Sequence, residues 1–416
     1  MSERLVIANC TLVTPRGNRA LRGEEMKNLY VLENAFVFIE DGIIKATGSM
    51  TDIEALALSG TAELLDAAGR VILPGFVDSH THLVFGGYRP DEFSWRLKGD
   101  SYMSIMERGG GIQSTVNATR QESADDLLQK AKWFVNRMSS MGVTAVEAKS
   151  GYGLDTETEL KMLEVISRLE EECKDKIDIT ATFLGAHAVP KEYAGRTAEY
   201  CDLIIKEMLP EVKDKAKFFD IFTEKNVFEI EDSRRLLQAA KDAGMQLKLH
   251  ADEIVPLGGA ELAAEMGAVS ADHLLHISDE GIKRMAEKGV VATLLPPTAF
   301  ALKEPYAPAR KMIDGGCAVA LATDLNPGSC FSGSIPLTIA LACIYMNMTV
   351  EEVVTALTLN GAAAVGKADK FGSVEAGKEA NLVMLEFPSI HYLPYYVGMN
   401  CVNSTIYKGK IVFSNK

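Results

Sequence analysis

The stretch ILPGFVDSHTHLVFGG, from Ile72 to Gly87, contains two short apolar runs around a Pro-Gly break and includes His80-Thr81-His82. This pattern is typical of a buried strand that leads into a functional site. Side chains alternate along a strand, so His80 and His82 face the same way with Cβ atoms roughly 6.5–7 Å apart. Both imidazoles can converge on one metal ion, because Zn–N bonds are about 2.0–2.1 Å long. Two unrelated histidines, one packed and one solvated, are the alternative at this point.

The composition is that of an ordinary globular protein. Of 416 residues, 47% are hydrophobic and 24% are charged, and the net charge is −14. This acidic balance disfavours a nucleic-acid partner, and an anionic substrate would need a local cationic clamp. The sequence has neither a signal-peptide core nor an apolar run of about 18 residues. Seven cysteines without CxxC spacing indicate reduced thiols, so we expect a cytoplasmic protein without membrane contact.

The pattern of the chain changes near Val71. Residues 1–70 consist of short strand-like runs and turns, whereas residues 71–367 alternate short apolar runs with longer helical stretches. The β pattern returns in residues 368–416. Each terminal β segment is too small to form a stable sheet alone. We therefore expect the two segments to pair into one small β-sandwich beside the central unit.

The central unit contains eight candidate strands, each followed by a segment that can form a helix. The strands are Gly75–Leu83, Val143–Lys149, Ile179–Ala188, Phe218–Phe222, Leu247–Ala251, Ser270–Leu275, Val290–Leu295 and Ala318–Thr323. The clearest helices are Ser123–Met141, Thr156–Cys173, Asp232–Ala243 and Val350–Leu357. Eight parallel strands with crossovers predict an α/β fold of the (β/α)8 TIM-like barrel type, with functional residues at the carboxyl ends of the strands. A doubly wound sheet is the alternative, but no GxGxxG follows a first strand.

Histidine and aspartate residues gather at the predicted strand ends. Besides His80 and His82, His250 lies at the end of QLKLHAD and Asp324 at the end of AVALATD. Three histidines and an aspartate form a ligand set suited to Zn²⁺ or Fe²⁺, with an open position for water. Water on such an ion can ionise near neutral pH and act as a nucleophile. Three further polar residues also end predicted strands: Lys149, His187 and His273.

Several longer strings indicate a family. ILPGFVDSHTHLVFGG, HADE, ADHLLH, ATDLNPG and GSVEAGKEANLVML together resemble the amidohydrolase superfamily and cover nearly the whole chain. More narrowly, HTHLVFGGYRPDEF, GGGIQSTVNATR, KSGYGLD, FLGAHAVP and ATDLNPGS are similar to the imidazolonepropionase family of histidine degradation. This resemblance implies a metal-dependent hydrolase that opens the cyclic amide of 4-imidazolone-5-propanoate and gives N-formimino-L-glutamate.

The resemblance also implies one divalent metal ion per subunit, zinc or iron. The implied ligands are His80, His82, His250 and Asp324. In members with two metals, a modified lysine on the fourth strand bridges the ions. The predicted fourth strand here has no lysine before Lys225, which favours a single ion. Lys149 ends the second strand instead, and an ion pair with Glu147 or another carboxylate is its structural alternative.

Three residues would carry the implied chemistry. Water activated by the ion would attack the ring carbonyl carbon, with Asp324 as its base. Glu253 follows His250 in an HxxE spacing and would relay a proton to the leaving nitrogen. His273 would polarise the carbonyl and hold the developing oxyanion. The neighbouring Asp272 is expected to support the site or to cap a helix.

The implied substrate contacts lie on loops after successive strands. Arg89 lies in a Gly-rich loop, and its guanidinium can bind the propionate carboxylate in a bidentate manner. A surface arginine is the alternative for Arg89. For His187 the alternative is a satisfied core histidine, and Asn326-Pro327 is equally a turn signal. The remaining implied contacts are Tyr102, Tyr152, Glu253, Gly328 and Ser329.

The expected partners are the small substrate and a second copy of the chain, because the resemblance implies a homodimer. Neither nucleic acid nor membrane is expected. A deaminase of a heterocyclic substrate is the alternative function, since it would use the same ligands and the same HxxE relay. Arg89 discriminates between the two, because a carboxylate clamp suits a propionate rather than a neutral base. A non-catalytic barrel would have lost metal ligands, and none of the four is missing.

Overall fold

The computed structural model describes residues 3–52, 62–100, 104 and 108–415. Within these residues sixteen strands form two eight-stranded sheets. Numbered along the chain, the strands are β1 Arg4–Thr14, β2 Tyr30–Glu40, β3 Ile43–Ser49, β4 Glu63–Asp66, β5 Val71–Pro74, β6 Phe76–Asp78, β7 Val143–Lys149, β8 Asp178–Ala186, β9 Phe218–Thr223, β10 Gln246–Ala251, β11 Ser270–His273, β12 Val291–Leu294, β13 Ala318–Leu321, β14 Leu382–Leu385, β15 Val402–Tyr407 and β16 Lys410–Ser414. Tyr102, an implied substrate contact, lies outside the described residues.

One sheet is a barrel in the order β6 to β13, and every neighbouring pair is parallel. The segment after β6 meets the segment after β13 through a parallel bridge between Thr81 and Leu325. His82 N donates to Leu325 O at 2.9 Å, and Asp324 N donates to His80 O at 3.0 Å. These bonds close the barrel beside the predicted site. The predicted (β/α)8 fold is therefore confirmed.

Helices occupy the connections between the barrel strands and cover the outside of the barrel. The helix Ala124–Ser139 begins where the Ser123 side chain accepts a hydrogen bond from Asp126 N, and it buries Leu128 and Ala131. None of the helices in the described ranges is long and apolar enough to cross a membrane. The α-helices are Pro90–Leu97, Ile112–Gln121, Ala124–Ser139, Thr156–Cys173, Thr197–Leu203, Leu209–Val212, Ile230–Asp242, Gly259–Met266, Asp279–Lys288, Pro296–Leu302, Ala309–Asp314, Ile335–Tyr345, Val350–Leu357, Leu359–Ala364 and Tyr392–Tyr395, and the other helical turns are Gly23–Lys27, Lys191–Tyr193 and Ile204–Met208.

The second sheet joins the two ends of the chain. Its order is β16-β15-β14-β5-β1-β2-β3, and β4 pairs in parallel with β1. β5 pairs with β1 and β14, so Val71–Pro74 belongs to this sheet rather than to the barrel. The barrel was predicted to begin at residue 71, but its first strand begins at Phe76. Ile7, Val37 and Leu382 are fully buried in its apolar cluster. Both terminal segments thus contribute strands to one sheet beside the barrel.

Seven of the eight predicted barrel strands agree with the structure to within two residues at each end. The first differs, because β6 ends at Asp78 and leaves His80 and His82 beyond the strand. The physical reason is barrel closure. Past Asp78 the chain bonds to the segment after β13, and Thr323 donates to Asp78 through both its backbone N and its hydroxyl.

Candidate metal centre

Four side chains converge at the carboxyl end of the barrel: His80 and His82 after β6, His250 in β10 and Asp324 after β13. The Nε2 atom of His82 lies 3.4 Å from His250 Nε2 and 3.5 Å from Asp324 Oδ1. His80 Nε2 lies 3.6 Å from the same aspartate oxygen. Ligands arranged tetrahedrally at about 2.0–2.2 Å from one ion are roughly 3.3–3.6 Å apart. These atoms have the spacing of metal ligands.

Two buried carboxylates orient two of the imidazoles. Asp272 Oδ2 lies 2.6 Å from His80 Nδ1, and Asp220 Oδ2 lies 3.1 Å from His250 Nδ1. Burial acts to raise the pKa of Asp220, but His250 and Lys149 more than offset it and hold this pKa well below its usual value. A carboxylate can only accept, so His80 carries a proton on Nδ1 and presents its Nε2 lone pair to the centre. His250 Nδ1 lies at ion-pair distance from Asp220 without forming a hydrogen bond. Burial acts to lower the pKa of His250, but the charge of Asp220 more than offsets it, so this pKa is raised in the absence of an ion. Of the two alternatives for Asp272, the structure supports the site-supporting role.

Two of the atoms that face the centre lack a hydrogen-bond partner. His80 Nε2 and Asp324 Oδ1 are buried and have no hydrogen-bond partner in the described part of the chain. Burial, with nearby charges, keeps the pKa values of His80 and His82 well below the usual value, so both imidazoles are neutral near pH 7. Buried polar atoms are normally satisfied by a hydrogen-bond partner or an ion. A divalent cation between them would satisfy all of them, so this cluster fits a metal ion.

His273 and Glu253 lie beside the convergence point. The His273 ring centroid is 5.1 Å from that of His250, and His273 Nε2 lies 3.5 Å from Glu253 Oε2. Neither ring nitrogen of His273 has a hydrogen-bond partner among the described residues. Burial, followed by the charge of Asp324, raises the pKa of Glu253 to about 8. His273 also has a φ of 77°, a strained backbone conformation of the kind that concentrates at functional sites.

The loops after β7 and β8 form a wall next to His82. The His187 ring stacks on the His82 ring with centroids 4.9 Å apart, and the Tyr152 ring lies 5.2 Å from that of His187. His187 Nδ1 lies 3.0 Å from Gly151 O, so the proton of His187 is on Nδ1 and Nε2 carries a lone pair. Burial lowers the pKa of His187 to about 3 and raises that of Tyr152. The wall is therefore neutral near pH 7.

Arg89 lies against the loop after β13. Its side chain is 11% exposed, and its Nη1 lies 3.5 Å from Glu92 Oε2. A Cβ atom added to Gly328 would lie 1.6 Å from Arg89 Nη2, so the guanidinium occupies the space that a side chain would need. Asn326 Oδ1 accepts from Gly328 N and Ser329 N, both at 2.8 Å, and its Nδ2 donates to Ser329 Oγ at 2.8 Å. The amide of Asn326 is thus engaged in shaping a turn, which is the role that the Asn326-Pro327 turn signal indicated.

Three charged groups beneath the centre were not singled out from the sequence as functional. Asp220, Glu147 and Lys248 are fully buried, each within a barrel strand. Lys149 pairs with Glu147 at 2.9 Å, as its structural alternative proposed, and with Asp220 at 2.7 Å. A charged residue inside an otherwise apolar strand such as FFDIF was the available signal, because a buried charge requires a partner.

A parallel (β/α)8 barrel with a histidine–aspartate cluster at its strand ends defines the class of metal-dependent barrel enzymes. The chain belongs to the amidohydrolase family, which matches residues 71–412. It is 60% identical over 418 residues to the imidazolonepropionase of Phocaeicola vulgatus, covering 100% of both chains. It is 56% identical to the imidazolonepropionase of Clostridium tetani over 412 residues, covering 98% of each chain.

Solved structures share the fold at much lower sequence identity. The 5-methylcytosine deaminase from Klebsiella pneumoniae has a TM-score of 0.74 at 18% identity, covering 99% of this chain and 98% of that one. Guanine deaminase from E. coli has a TM-score of 0.71 at 15% identity, covering 99% and 100%. At such identities the likeness supports the architecture alone.

Proposed function

We propose that this protein hydrolyses the cyclic amide of 4-imidazolone-5-propanoate to N-formimino-L-glutamate, a step of histidine degradation. Full-length identity of 60% to a relative named imidazolonepropionase carries the proposal. The geometry supports it, because a cluster fitted to a metal ion, the neighbouring His273 and Glu253, and a largely covered arginine, Arg89, lie around one end of the barrel. That combination suits hydrolysis of a small substrate with a carboxylate side chain.

The proposed cofactor is one divalent metal ion per subunit, zinc or iron. Its proposed ligands are His80, His82, His250 and Asp324, and the unsatisfied atoms of His80 and Asp324 support this set. When bound, such an ion lowers the pKa of a water molecule and polarises a carbonyl oxygen. Imidazole and carboxylate ligands suit both metals, so the donor set does not select one of them.

Proton transfer is proposed to run through Asp324 and Glu253. Asp324 Oδ1 has no donor among the described residues and can accept a proton from the attacking water. As the water oxygen bonds to the ring carbonyl carbon, the C–N bond breaks and Glu253 delivers a proton to the leaving nitrogen. The raised pKa of Glu253, about 8, supports this role because the carboxyl group is protonated near neutral pH. His273 can donate an N–H to the developing oxyanion, since both of its ring nitrogens lack partners.

Substrate orientation is proposed to depend on Arg89 and the aromatic wall. Arg89 would bind the propionate carboxylate as a bidentate pair. Tyr152 and the Nε2 lone pair of His187 would contact the imidazolone ring, which carries N–H donors. The turn shaped by Asn326 would present Gly328 and Ser329, whose hydroxyl can contact the substrate. Tyr102 and Glu253 complete the proposed set of contacts.

A combined assay tests the function. Purified protein is loaded with zinc or iron, metal per subunit is quantified, and release of formiminoglutamate from imidazolone propionate is followed. We expect about one ion per subunit and turnover that depends on it. His250→Ala should lose the ion and the turnover while the barrel still folds. Retention of the metal by that variant would remove His250 from the ligand set.

A second variant separates hydrolysis of a propionate-bearing substrate from deamination of a neutral base. Arg89→Ala should raise KM for imidazolone propionate about 10–100-fold, because a charge-assisted hydrogen bond contributes about 1.5–3 kcal/mol. An unchanged KM would mean that Arg89 does not bind the carboxylate. Release of ammonia from heterocyclic bases, with no turnover of imidazolone propionate, would favour the deaminase alternative.

Location and assembly are proposed from weaker observations. All seven cysteines are free thiols, which supports the reducing cytoplasm as the compartment. The homodimer stays a prediction. Light scattering coupled to size-exclusion chromatography would give the molar mass that decides it.

A further inference from the structure

Beneath the proposed metal ligands lies a buried network of five charged side chains. It contains two lysines and three carboxylates, and all five are fully buried. With every group ionised, the network carries one negative charge in excess. The members are Glu147 and Lys149 of β7, Asp220 of β9, Lys248 of β10 and Asp272 of β11.

Lys149 bridges the network from one strand. Its Nζ lies 2.7 Å from Asp220 Oδ2, 2.9 Å from Glu147 Oε2 and 3.9 Å from Asp272 Oδ2. Burial acts to lower the pKa of Lys149, but Asp220 and Glu147 more than offset it, so this pKa is raised. The ammonium is therefore a permanent positive charge under the centre.

Lys248 completes the neutralisation from β10, three strands further along the barrel. Its Nζ lies 2.8 Å from Glu147 Oε2 and 3.7 Å from Asp272 Oδ2, and it donates to Ser79 O at 3.0 Å. Glu147, Asp272 and His80 together have the spacing of a metal-binding group. Because two ammonium groups already contact those carboxylates, their charge is balanced by side chains of the chain itself.

The same carboxylates also contact the proposed ligands. Asp220 Oδ2 contacts both Lys149 Nζ and His250 Nδ1, and Asp272 Oδ2 contacts His80 Nδ1. A carboxylate that hydrogen-bonds a ligand histidine fixes its ring orientation and its tautomer. A lysine that fixes the position of the carboxylate therefore affects metal binding indirectly, through the ligand histidine.

We propose that Lys149 is a positioning residue for the metal centre: its ammonium holds Asp220, which in turn orients His250, and Lys248 acts in the same way on Asp272 and His80. This inference rests on the proposed metal site, but not on the proposed substrate. Removing either ammonium should free a buried carboxylate to rotate or to take up a proton. The histidine would then lose the carboxylate that lies against its Nδ1, and the affinity for the ion would fall.

A double-mutant cycle on the full chain tests this route. The dissociation constant for Co²⁺ and the absorption spectrum of the bound ion are measured in wild type, Lys149→Met, Asp220→Asn and the double variant. Lys149→Met should weaken binding about 10–100-fold, the usual cost of losing such support, and should change the Co²⁺ spectrum. In the Asp220→Asn background the same substitution should cost less than about threefold, because two residues that act in series are not additive.

Lys161→Met is the matched control. Lys161 donates to three backbone carbonyls, those of Thr119, Arg120 and Glu122, and contacts no member of the network. This substitution should lower the melting temperature without changing the dissociation constant for Co²⁺. The positioning role is refuted if Lys149→Met lowers the melting temperature but leaves the dissociation constant for Co²⁺ unchanged. It is also refuted if Lys149→Met weakens Co²⁺ binding equally in the wild-type and Asp220→Asn backgrounds.

Two further outcomes are distinguishable. If Lys149→Met does not fold, the cycle is run with Lys248→Met and Asp272→Asn, and additive costs there refute the inference in the same way. If wild type binds Co²⁺ through His250 and hydrolyses imidazolone propionate, but Lys149→Met binds the ion as tightly, this inference alone fails. Absence of Co²⁺ binding by wild type would instead refute the proposed metal site.

Discussion

At the scale of single residues, Gly328 is constrained by Arg89. The guanidinium fills the position of a side chain on Gly328, so Gly328→Ala must displace it. We expect KM for imidazolone propionate to rise about 10–100-fold, since the clamp would lose a charge-assisted pair, with a smaller change in kcat. Steady-state kinetics check this. Gly333→Ala is the control, because a Cβ there would meet its nearest atoms only at 3.5 and 3.7 Å. Equal effects of the two substitutions would contradict the clamp.

Glu253 gives a prediction on pH. Burial raises its pKa to about 8, so the carboxyl group is protonated below that pH and loses its proton as the pH rises through it. If Glu253 delivers a proton to the leaving nitrogen, kcat falls on the alkaline side, at or below pH 8 because a bound cation lowers the pKa further.

Glu253→Gln should keep the metal, reduce kcat about 10²–10⁴-fold and remove this alkaline limb. The pH profile of kcat, together with metal analysis, tests both parts. A variant with normal turnover, or one that keeps the alkaline limb, would exclude Glu253 as the acid.

At the scale of elements, a buried carboxylate binds the backbone of the loop after β7. Glu159, in the helix Thr156–Cys173, accepts hydrogen bonds from the backbone N atoms of Gly151, Gly153 and Leu154 at 3.0, 2.8 and 2.9 Å. Gly151 O in turn contacts His187, so the helix fixes both members of the aromatic wall. The sequence predicted this helix correctly but not the bonds, because they form between side chain and loop only after packing.

Glu159→Gln should disturb the wall without touching the proposed metal ligands. An amide has one acceptor oxygen, and its NH2 group would replace the Oε2 that accepts from Gly151 N at 3.0 Å, so this buried N–H keeps only the longer 3.2 Å bond to Oε1. The loss of a buried hydrogen bond costs about 1–3 kcal/mol. We expect a lower melting temperature and at least a tenfold loss of kcat/KM with full metal content. Glu157→Gln, an exposed position in the same helix, should change neither. Loss of metal from Glu159→Gln would mean that the loop supports the ion as well.

At the scale of the whole molecule, local patterns predicted the barrel, the terminal sheet and the positions of the site histidines. They did so because parallel strands are short apolar runs and strand ends carry the polar residues. The network of Lys149, Asp220 and Asp272 could not be predicted from the sequence, since it depends on the register of three separate strands. Nor could the pattern show that β6 stops at Asp78, because barrel closure through Leu325 is a contact between distant segments.

We expect the proposed metal site to couple to the stability of the whole barrel. Its proposed ligands come from the segments that close the barrel and from β10, so an ion bound there joins parts of the chain far apart in sequence. A ligand that binds only the folded state stabilises it by about 2.7 kcal/mol at 100 times its dissociation constant. Removal of the ion with a chelator should therefore lower the melting temperature by several degrees, and added Zn²⁺ should restore it.

Calorimetry with and without chelator measures this shift. His250→Ala should lose the chelator-dependent shift, whatever its own melting temperature, because a ligand is missing. His391→Ala should retain it, since His391 is exposed and lies outside the barrel. Without the ion, His80 Nε2 and Asp324 Oδ1 remain buried without a hydrogen-bond partner among the described residues, a cost that adds to the lost binding energy. If neither chelator nor Zn²⁺ changes the melting temperature of the wild type, the four side chains do not share a cation.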